Sequence, residues 1–149
     1  VVGGGPPPGR RVSAVAVGGP SSGVLPLSML DTPIAPGLLH DSGVMLGAGG
    51  VVVLDETVGV VQVVRGLAQY NADESCGKCT PCREGTPRMV NALDRLLSGA
   101  CSPGDLDELR GLAEVVGAAS LCGLGQAAGG PINSALHFFG DRLTALARS

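Results

Sequence analysis

Three cysteines lie close together in residues 74–85, which read ESCGKCTPCREG. Cys76, Cys79 and Cys82 are separated by two residues each, a spacing that lets one loop place three thiolates around a compact inorganic cluster. A fourth cysteine, Cys122, lies in the later segment SLCGLGQ. A split of three ligands plus one favours a cubane [4Fe-4S] cluster, with one iron per cysteine. These four cysteines are the predicted cofactor and metal ligands.

A structural zinc site is the alternative for the same residues. Zinc sites usually pair one C-x-x-C with a second C-x-x-C or with a histidine pair, so that each half gives two ligands. The spacing here does not match that pattern. Cys101 lies beside a Ser-Pro helix start and is predicted to be a free thiol. His40 and His137 lack metal-ligand neighbours and are predicted to lie at the surface.

Charged residues flank the cysteines. Lys78 and Arg83 either compensate the negative charge of a tetrathiolate cluster or are solvated loop residues. Glu74 is predicted to make a structural hydrogen bond to the loop backbone. The glycine-rich segment 18–23 is either a phosphate cradle or a turn, and a turn is favoured because no lysine follows at P-loop spacing. Segment 47–50 does not match the dinucleotide-binding pattern.

Composition excludes several classes of function. The 149 residues carry a net charge of −3 and only 2% aromatic residues, which argues against a nucleic-acid partner. Five cysteines, three of them closely spaced, do not suit a disulfide framework and indicate a reducing, cytoplasmic setting. Charged residues break the longest apolar run, so we expect no direct membrane insertion, and at most peripheral contact with the inner face of the cell membrane. The first residue, Val1, suggests a piece of a longer polypeptide.

The hydrophobic period changes near Asp55, and this change marks the predicted domain boundary. Residues 1–55 show short apolar runs between Gly and Pro turns, which predicts a small β-rich domain. The segments predicted in it are a strand over 11–17, a loop over 18–23, an extended stretch over 30–34, a helical turn over 38–41, and strands over 44–47 and 51–54.

Residues 56–149 follow a helical period and predict a four-helix bundle. The first helix is expected over 57–70, the second from the Thr86-Pro87 start signal to Gly99, the third from Ser102 to Gly117, and the fourth from Pro131. Both cysteine segments then lie in connections at the same end of an up-down bundle, so the four thiolates can converge. The predicted fold class is α+β.

These motifs resemble the NADH-binding flavoprotein subunits of respiratory complex I and their relatives, a family that includes the diaphorase subunits of NAD-linked formate dehydrogenases and NAD(P)-reducing hydrogenases. The two cysteine segments carry the resemblance. Upstream, the sequences GGPSSG at 18–23, LDTPI at 30–34 and GAGG at 47–50 are similar to the family's soluble-ligand-binding β-grasp (SLBB) domain. Ala35 stands where the family usually has an acidic residue. The sequence LCGLGQ looks more like the formate dehydrogenase and hydrogenase branch.

The resemblance implies an SLBB domain over 1–55 and a 4Fe-4S-binding bundle over 56–149. It also implies an electron relay, in which a flavin takes hydride from NADH and the cluster accepts the electrons singly. FMN and NAD would be bound by an upstream domain that lies outside this sequence, so no catalytic residue is predicted here. The implied partners are other subunits of a multi-subunit oxidoreductase, including a thioredoxin-like 2Fe-2S subunit.

Three hypotheses for function follow. The first is an iron–sulfur electron-transfer module of an NADH-linked oxidoreductase, which is not catalytic with NADH alone. The second is a structural zinc-binding helical module. The third is a truncated fragment that keeps the fold as a docking surface without redox chemistry.

Overall fold

The computed structural model describes residues 5–33, 35 and 43–148. They form a three-stranded antiparallel sheet and a set of helices, which confirms the predicted α+β class. The strands are β1 (Val12–Val17), β2 (Gly23–Pro26) and β3 (Val51–Asp55), and a short 3-10 helix (Leu27–Met29) follows β2. The helices are α1 (Val60–Asp73), α2 (Thr80–Leu97), α3 (Pro103–Ala119), α4 (Gly123–Ala127) and α5 (Gly130–Leu146). None of the helices in this described part is long and apolar enough to cross a membrane.

Strand β1 is the centre of the sheet, whose order is β2-β1-β3. Val15 pairs with Leu25 on one side and with Val53 on the other. Because side chains alternate along a strand, Ala14 and Ala16 face the helices. Val15 instead joins a small separate apolar cluster on the opposite face of the sheet.

The four long helices form an up-down bundle in which α1, α2, α3 and α5 each pack against two neighbours. Its centre consists of fully buried side chains, among them Met89, Leu93, Leu96, Leu109, Val116, Ile132 and Leu143. Ala14, Val24 and Leu54 of the sheet belong to the same apolar core. The core is therefore continuous across residue 55, and the division of the chain at that point stays a prediction.

Two buried polar side chains join the sheet to the bundle. Asn71 of α1 is fully buried; its amide donates to the carbonyl of Pro20 at 3.1 Å and its carbonyl oxygen accepts from the hydroxyl of Ser21. Ser134 of α5 is also fully buried and accepts from the backbone N–H of Val24 at 3.0 Å. Because an unpaired buried polar group is costly, these bonds fix where the sheet sits on the helices.

The second helix begins earlier than the sequence predicts. It starts at Thr80 with Pro81 in its first turn, and Pro87 lies inside it. Thr86, predicted as the N-cap, is buried and donates its hydroxyl hydrogen to the carbonyl of Cys82 at 2.9 Å. A start signal is present in both places, and the one at Pro81 is the one used.

Other element predictions differ from the structure in the sheet region. The sequence does not predict strand β2, because its four residues begin with Gly and end with Pro. Residues 44–47 do not form a strand, although Val44 is buried, and residues 30–32 form a turn instead of an extended stretch. The first helix starts three residues later than predicted and runs to Asp73. The helical turn over 38–41 and Ile34 lie outside the described residues.

Helix α3 begins with a charged cap. The carboxylate of Asp105 accepts from the backbone N–H of Ser102 at 2.6 Å and from the Ser102 hydroxyl at 3.0 Å. The guanidinium of Arg95 on α2 also donates to it at 2.7 Å. These donors, led by the Ser102 amide, hold the pKa of Asp105 well below its usual value of 3.8. The ionised cap therefore fixes the start of α3 against the end of α2.

This cap predicts an acid-dependent loss of stability. A carboxyl whose folded pKa is depressed contributes stability above its unfolded pKa of 3.8, and this contribution is lost as the pH falls towards the folded value. We expect Asp105→Asn to lower the urea midpoint at pH 7 and to flatten its fall between about pH 5 and pH 2. Asp107→Asn is the matched control, since Asp107 is in the same turn and its side chain is 81% exposed. Equal pH profiles for wild type and Asp105→Asn would contradict the prediction.

Candidate metal centre

The four cysteines predicted as ligands meet around one cavity. Cys76, Cys79, Cys82 and Cys122 line a cavity of about 90 Å³ at one end of the bundle. The other residues that line it are Glu74, Ser75, Lys78 and Leu124. The structure thus brings together the thiols of the α1–α2 connection and of the α3–α4 connection, as the up-down arrangement predicts.

Helix starts position three of the cysteines. Cys79 is the N-cap residue of α2, and Cys82 lies three residues further, in the first turn, where it is 5% exposed. Cys122 is the N-cap residue of α4. Cys76 precedes them in the loop and is exposed, as is Cys122. Both helices therefore direct the positive ends of their dipoles towards the thiols, which favours the anionic thiolate.

Gly77 and Arg83 shape the loop between Cys76 and Cys79. Gly77 adopts a φ of +72°, in the left-handed region that other residues rarely occupy. The Arg83 guanidinium donates to the Gly77 carbonyl at 2.9 Å and also pairs with Glu84 at 3.0 Å. Of the two roles left open for Arg83, these contacts support a structural one, because the side chain braces the cysteine loop. Lys78, in contrast, lines the cavity itself.

Backbone amides lower the pKa of one thiol. The N–H groups of Leu121 and Cys82 act on the sulfur of Cys79, and the Ser120 hydroxyl adds to their effect, so the pKa of Cys79 lies below its usual value. Cys79 makes no N-cap hydrogen bond of ordinary geometry. The amide of Leu121 comes from the connection that carries Cys122. The two cysteine segments are thus in electrostatic contact.

Two serine hydroxyls that the sequence-based prediction missed lie beside the cysteines. The Ser75 hydroxyl is 3.2 Å from the sulfur of Cys82. The Ser120 hydroxyl is buried and has no ordinary hydrogen-bond partner within the described part of the chain. It does lie near enough to Cys79 to affect the pKa of that thiol, which is an electrostatic influence without the geometry of a full bond. Serine next to a cysteine motif is the signal that could have found them.

A close packing contact holds the second segment in place. Gly125 of α4 is buried, and a Cβ at this position would overlap the side chain of Ser120 and approach the Cβ of Cys82 to 3.2 Å. The side-chain amide of Gln126 donates to the Ser120 carbonyl at 3.2 Å. The absence of a side chain at residue 125 therefore lets α4 approach the start of α2 and bring Cys122 to the cavity.

The donor set fits an iron–sulfur cluster. Cysteine thiolates are the usual ligands of such clusters, and four of them surround a space several times the roughly 10–15 Å³ that a water molecule needs. Within residues 5–33, 35 and 43–148, no group of three or more Cys, His, Asp or Glu side chains is close enough to hold a single metal ion. Thiols spread around a cavity match a cluster with separate corners better than a zinc ion bound by four sulfurs at about 2.3 Å.

The remaining candidate residues lie away from the cavity. Cys101 is half-buried between α2 and α3, and burial followed by the charge of Asp105 raises its pKa. His137 is exposed, as predicted, with its ring edge-on to Phe138. His40 lies outside the described residues.

The glycine-rich segment 18–23 is a turn. Gly18 donates to the carbonyl of Gly50 at 2.8 Å and accepts from the N–H of Ala48 at 3.1 Å. The two glycine-rich segments thus bind each other through their backbones, which supports the interpretation of 18–23 as a turn.

The fold and the cavity define a class of protein: a small sheet joined to a helical module in which two connections present four thiols to one site. Residues 62–146, more than half of the chain, match the family described as the NADH-ubiquinone oxidoreductase-F iron-sulfur binding region. The chain belongs to this family, and the predicted family and iron–sulfur cofactor are confirmed.

Two relatives and one solved structure show how far the similarity extends. The chain is 41% identical over 144 residues to the NADP-reducing hydrogenase subunit HndC of Solidesulfovibrio fructosivorans, covering 97% of this chain and 29% of HndC. It is 40% identical over 136 residues to the second F-type component of the NADH-quinone oxidoreductase of Rhizobium meliloti, covering 91% of this chain and 32% of that protein. The crystal structure of an NAD+-reducing [NiFe]-hydrogenase in the H2-reduced state matches with a TM-score of 0.80 and 33% identity, over 91% of this chain and 23% of that one. The chain spans about a third of the length of these curated relatives.

The packing at Gly125 gives a prediction with a matched control in the same helix. Gly125→Ala should destabilise the metal-free chain by about 1–3 kcal/mol and reduce cluster uptake, because the new methyl group displaces Ser120 or Cys82. Gly123→Ala should be neutral or slightly stabilising, because a Cβ there meets no atom within 4 Å. Urea unfolding and iron content per chain are the measurements. Equal effects of the two substitutions would show that the close contact does not matter.

Proposed function

We propose that this chain is the iron–sulfur electron-transfer module of an NADH-linked oxidoreductase. The observation that carries the proposal is the single cavity lined by four cysteines from two helix connections. Membership of an iron–sulfur binding family supports it. A [4Fe-4S] cluster, when bound, supplies a one-electron redox centre.

In this proposal Cys76, Cys79, Cys82 and Cys122 hold the cluster. The N–H groups of Leu121 and Cys82 stabilise negative charge on the Cys79 sulfur. Lys78 adds a positive charge at the cavity. Cys82 is buried, whereas Cys76 and Cys122 are exposed. The exposed side of the site is therefore the side at which electrons enter or leave.

The wider assignment is also a proposal. Residues 1–55 form an SLBB domain and residues 56–149 the cluster-binding domain. FMN and NAD bind to a separate flavin domain, and the partners are other subunits of the complex, including a thioredoxin-like 2Fe-2S subunit. The complex belongs to the formate dehydrogenase or hydrogenase branch and is cytoplasmic or peripheral to the cell membrane. The 41% identity to a hydrogenase component supports the branch.

Cluster content tests the ligand assignment. Anaerobic reconstitution should give about four irons and four sulfides per chain. Cys79→Ser should lose or convert the cluster, because Cys79 lies at the cavity, whereas Cys101→Ser should keep it. Iron and acid-labile sulfide assays with the visible spectrum are the measurements. A colourless protein with one zinc per chain would favour the structural zinc site instead.

The electron source gives a second test. A hydride carries two electrons and a single cluster stores one, so a flavin has to separate the pair. We expect dithionite to bleach the reconstituted chain and NADH to leave it coloured until a flavin-bearing partner is added. Low-temperature EPR after anaerobic mixing is the measurement. Rapid reduction by NADH alone would mean that this chain holds its own nucleotide and flavin sites.

A further inference from the structure

The Ser75 hydroxyl is oriented towards a sulfur. It lies 3.2 Å from the sulfur of Cys82, and it accepts a long bond of 3.4 Å from the N–H of Gly77. A thiolate bound to iron has no hydrogen to donate, so between the two groups the serine has to be the donor. Because the Gly77 amide occupies the acceptor side of the hydroxyl, its hydrogen is available for Cys82.

The Ser120 hydroxyl is buried without a conventional partner. Ser120 is 5% exposed, and its oxygen forms no ordinary hydrogen bond within residues 5–33, 35 and 43–148. Gly125 packs directly against it, and the same glycine lies beside Cys82. A buried hydroxyl that lacks a partner costs free energy, and this cost is removed when an anionic acceptor lies beside it. A cluster held by Cys79 and Cys82 provides such an acceptor.

The geometry points to Ser75 and Ser120 as positioning residues that set the reduction potential of the cluster. The inference depends on the proposed function. Each hydroxyl donates a hydrogen bond to a cysteine sulfur, Ser75 to Cys82 and Ser120 to Cys79. One electron enters the cluster on reduction and no proton moves, so both serines keep their hydrogens. Because such bonds strengthen as the sulfurs become more negative, they favour the reduced state and raise the potential.

Serine-to-alanine substitutions separate this role from a structural one. Ser75→Ala and Ser120→Ala should each keep about four irons per chain. Each should also reduce the equilibrium constant for reduction by roughly tenfold, which is about 59 mV to lower potential for one electron. Ser75→Thr keeps the hydroxyl and should keep the wild-type potential. Ser98→Ala is the control, because Ser98 is exposed at the end of α2 and donates only to the Arg95 carbonyl. The readout is an EPR-monitored redox titration of the full 149-residue chain.

A measurement on the metal-free chain adds a second readout. Ser120→Ala removes an unpartnered hydroxyl, so the melting temperature without the cluster should stay equal or rise. A fall in that melting temperature would overturn the inference for Ser120. Unchanged potentials in both alanine variants, or loss of the cluster from either, would overturn the tuning role. A wild-type chain that takes up no cluster would instead overturn the proposed function, and the inference with it.

Discussion

The structure depends on bringing two distant helix connections to one end of the bundle. The α1–α2 connection carries three thiols and the α3–α4 connection carries the fourth, and they share one cavity. Buried side chains of the bundle, among them Leu93, Val116 and Ile132, set how far apart the helices stand. Because interiors are close-packed, this distance is fixed to a fraction of an ångström. The tight contact of Gly125 with Ser120 and Cys82 is where the packing reaches the site.

Charge is the second constraint, because four thiolates in a small volume repel each other. The chain answers with dipoles more than with full charges. The starts of α2 and α4 face the site through Cys79 and Cys122, and backbone amides lower the pKa of Cys79. Arg83 is used to hold the Gly77 carbonyl, which leaves Lys78 as the cation that lines the cavity. Fixed dipoles need no reorganisation when the charge of a bound group changes, which suits a site that gains and loses electrons.

The sequence is sufficient for the features that depend on local pattern. Cysteine spacing predicts the kind of site, and counting four helices predicts that Cys122 joins the other three. The predicted start of α2 is wrong because two proline signals compete, and only a helix that begins at Thr80 places Cys79 as its N-cap and Cys82 in its first turn. The contact between Gly125 and Cys82 joins residues far apart in sequence, and no local pattern encodes it. The ligand role of the four cysteines stays a prediction, as does the division of the chain near residue 55.

The sheet bears on the site although it supplies no ligand. Its loop contacts the bundle at Asn71, in the last turn of α1 just before the first cysteine segment. The same loop lies against Gly130, at the start of α5 just after α4, where a Cβ would meet the Ser21 and Ser22 carbonyls. One loop therefore holds the chain on both sides of the four cysteines. Because loops are otherwise the most mobile part of a bundle, this anchoring limits how far the two cysteine segments can separate when no metal is bound.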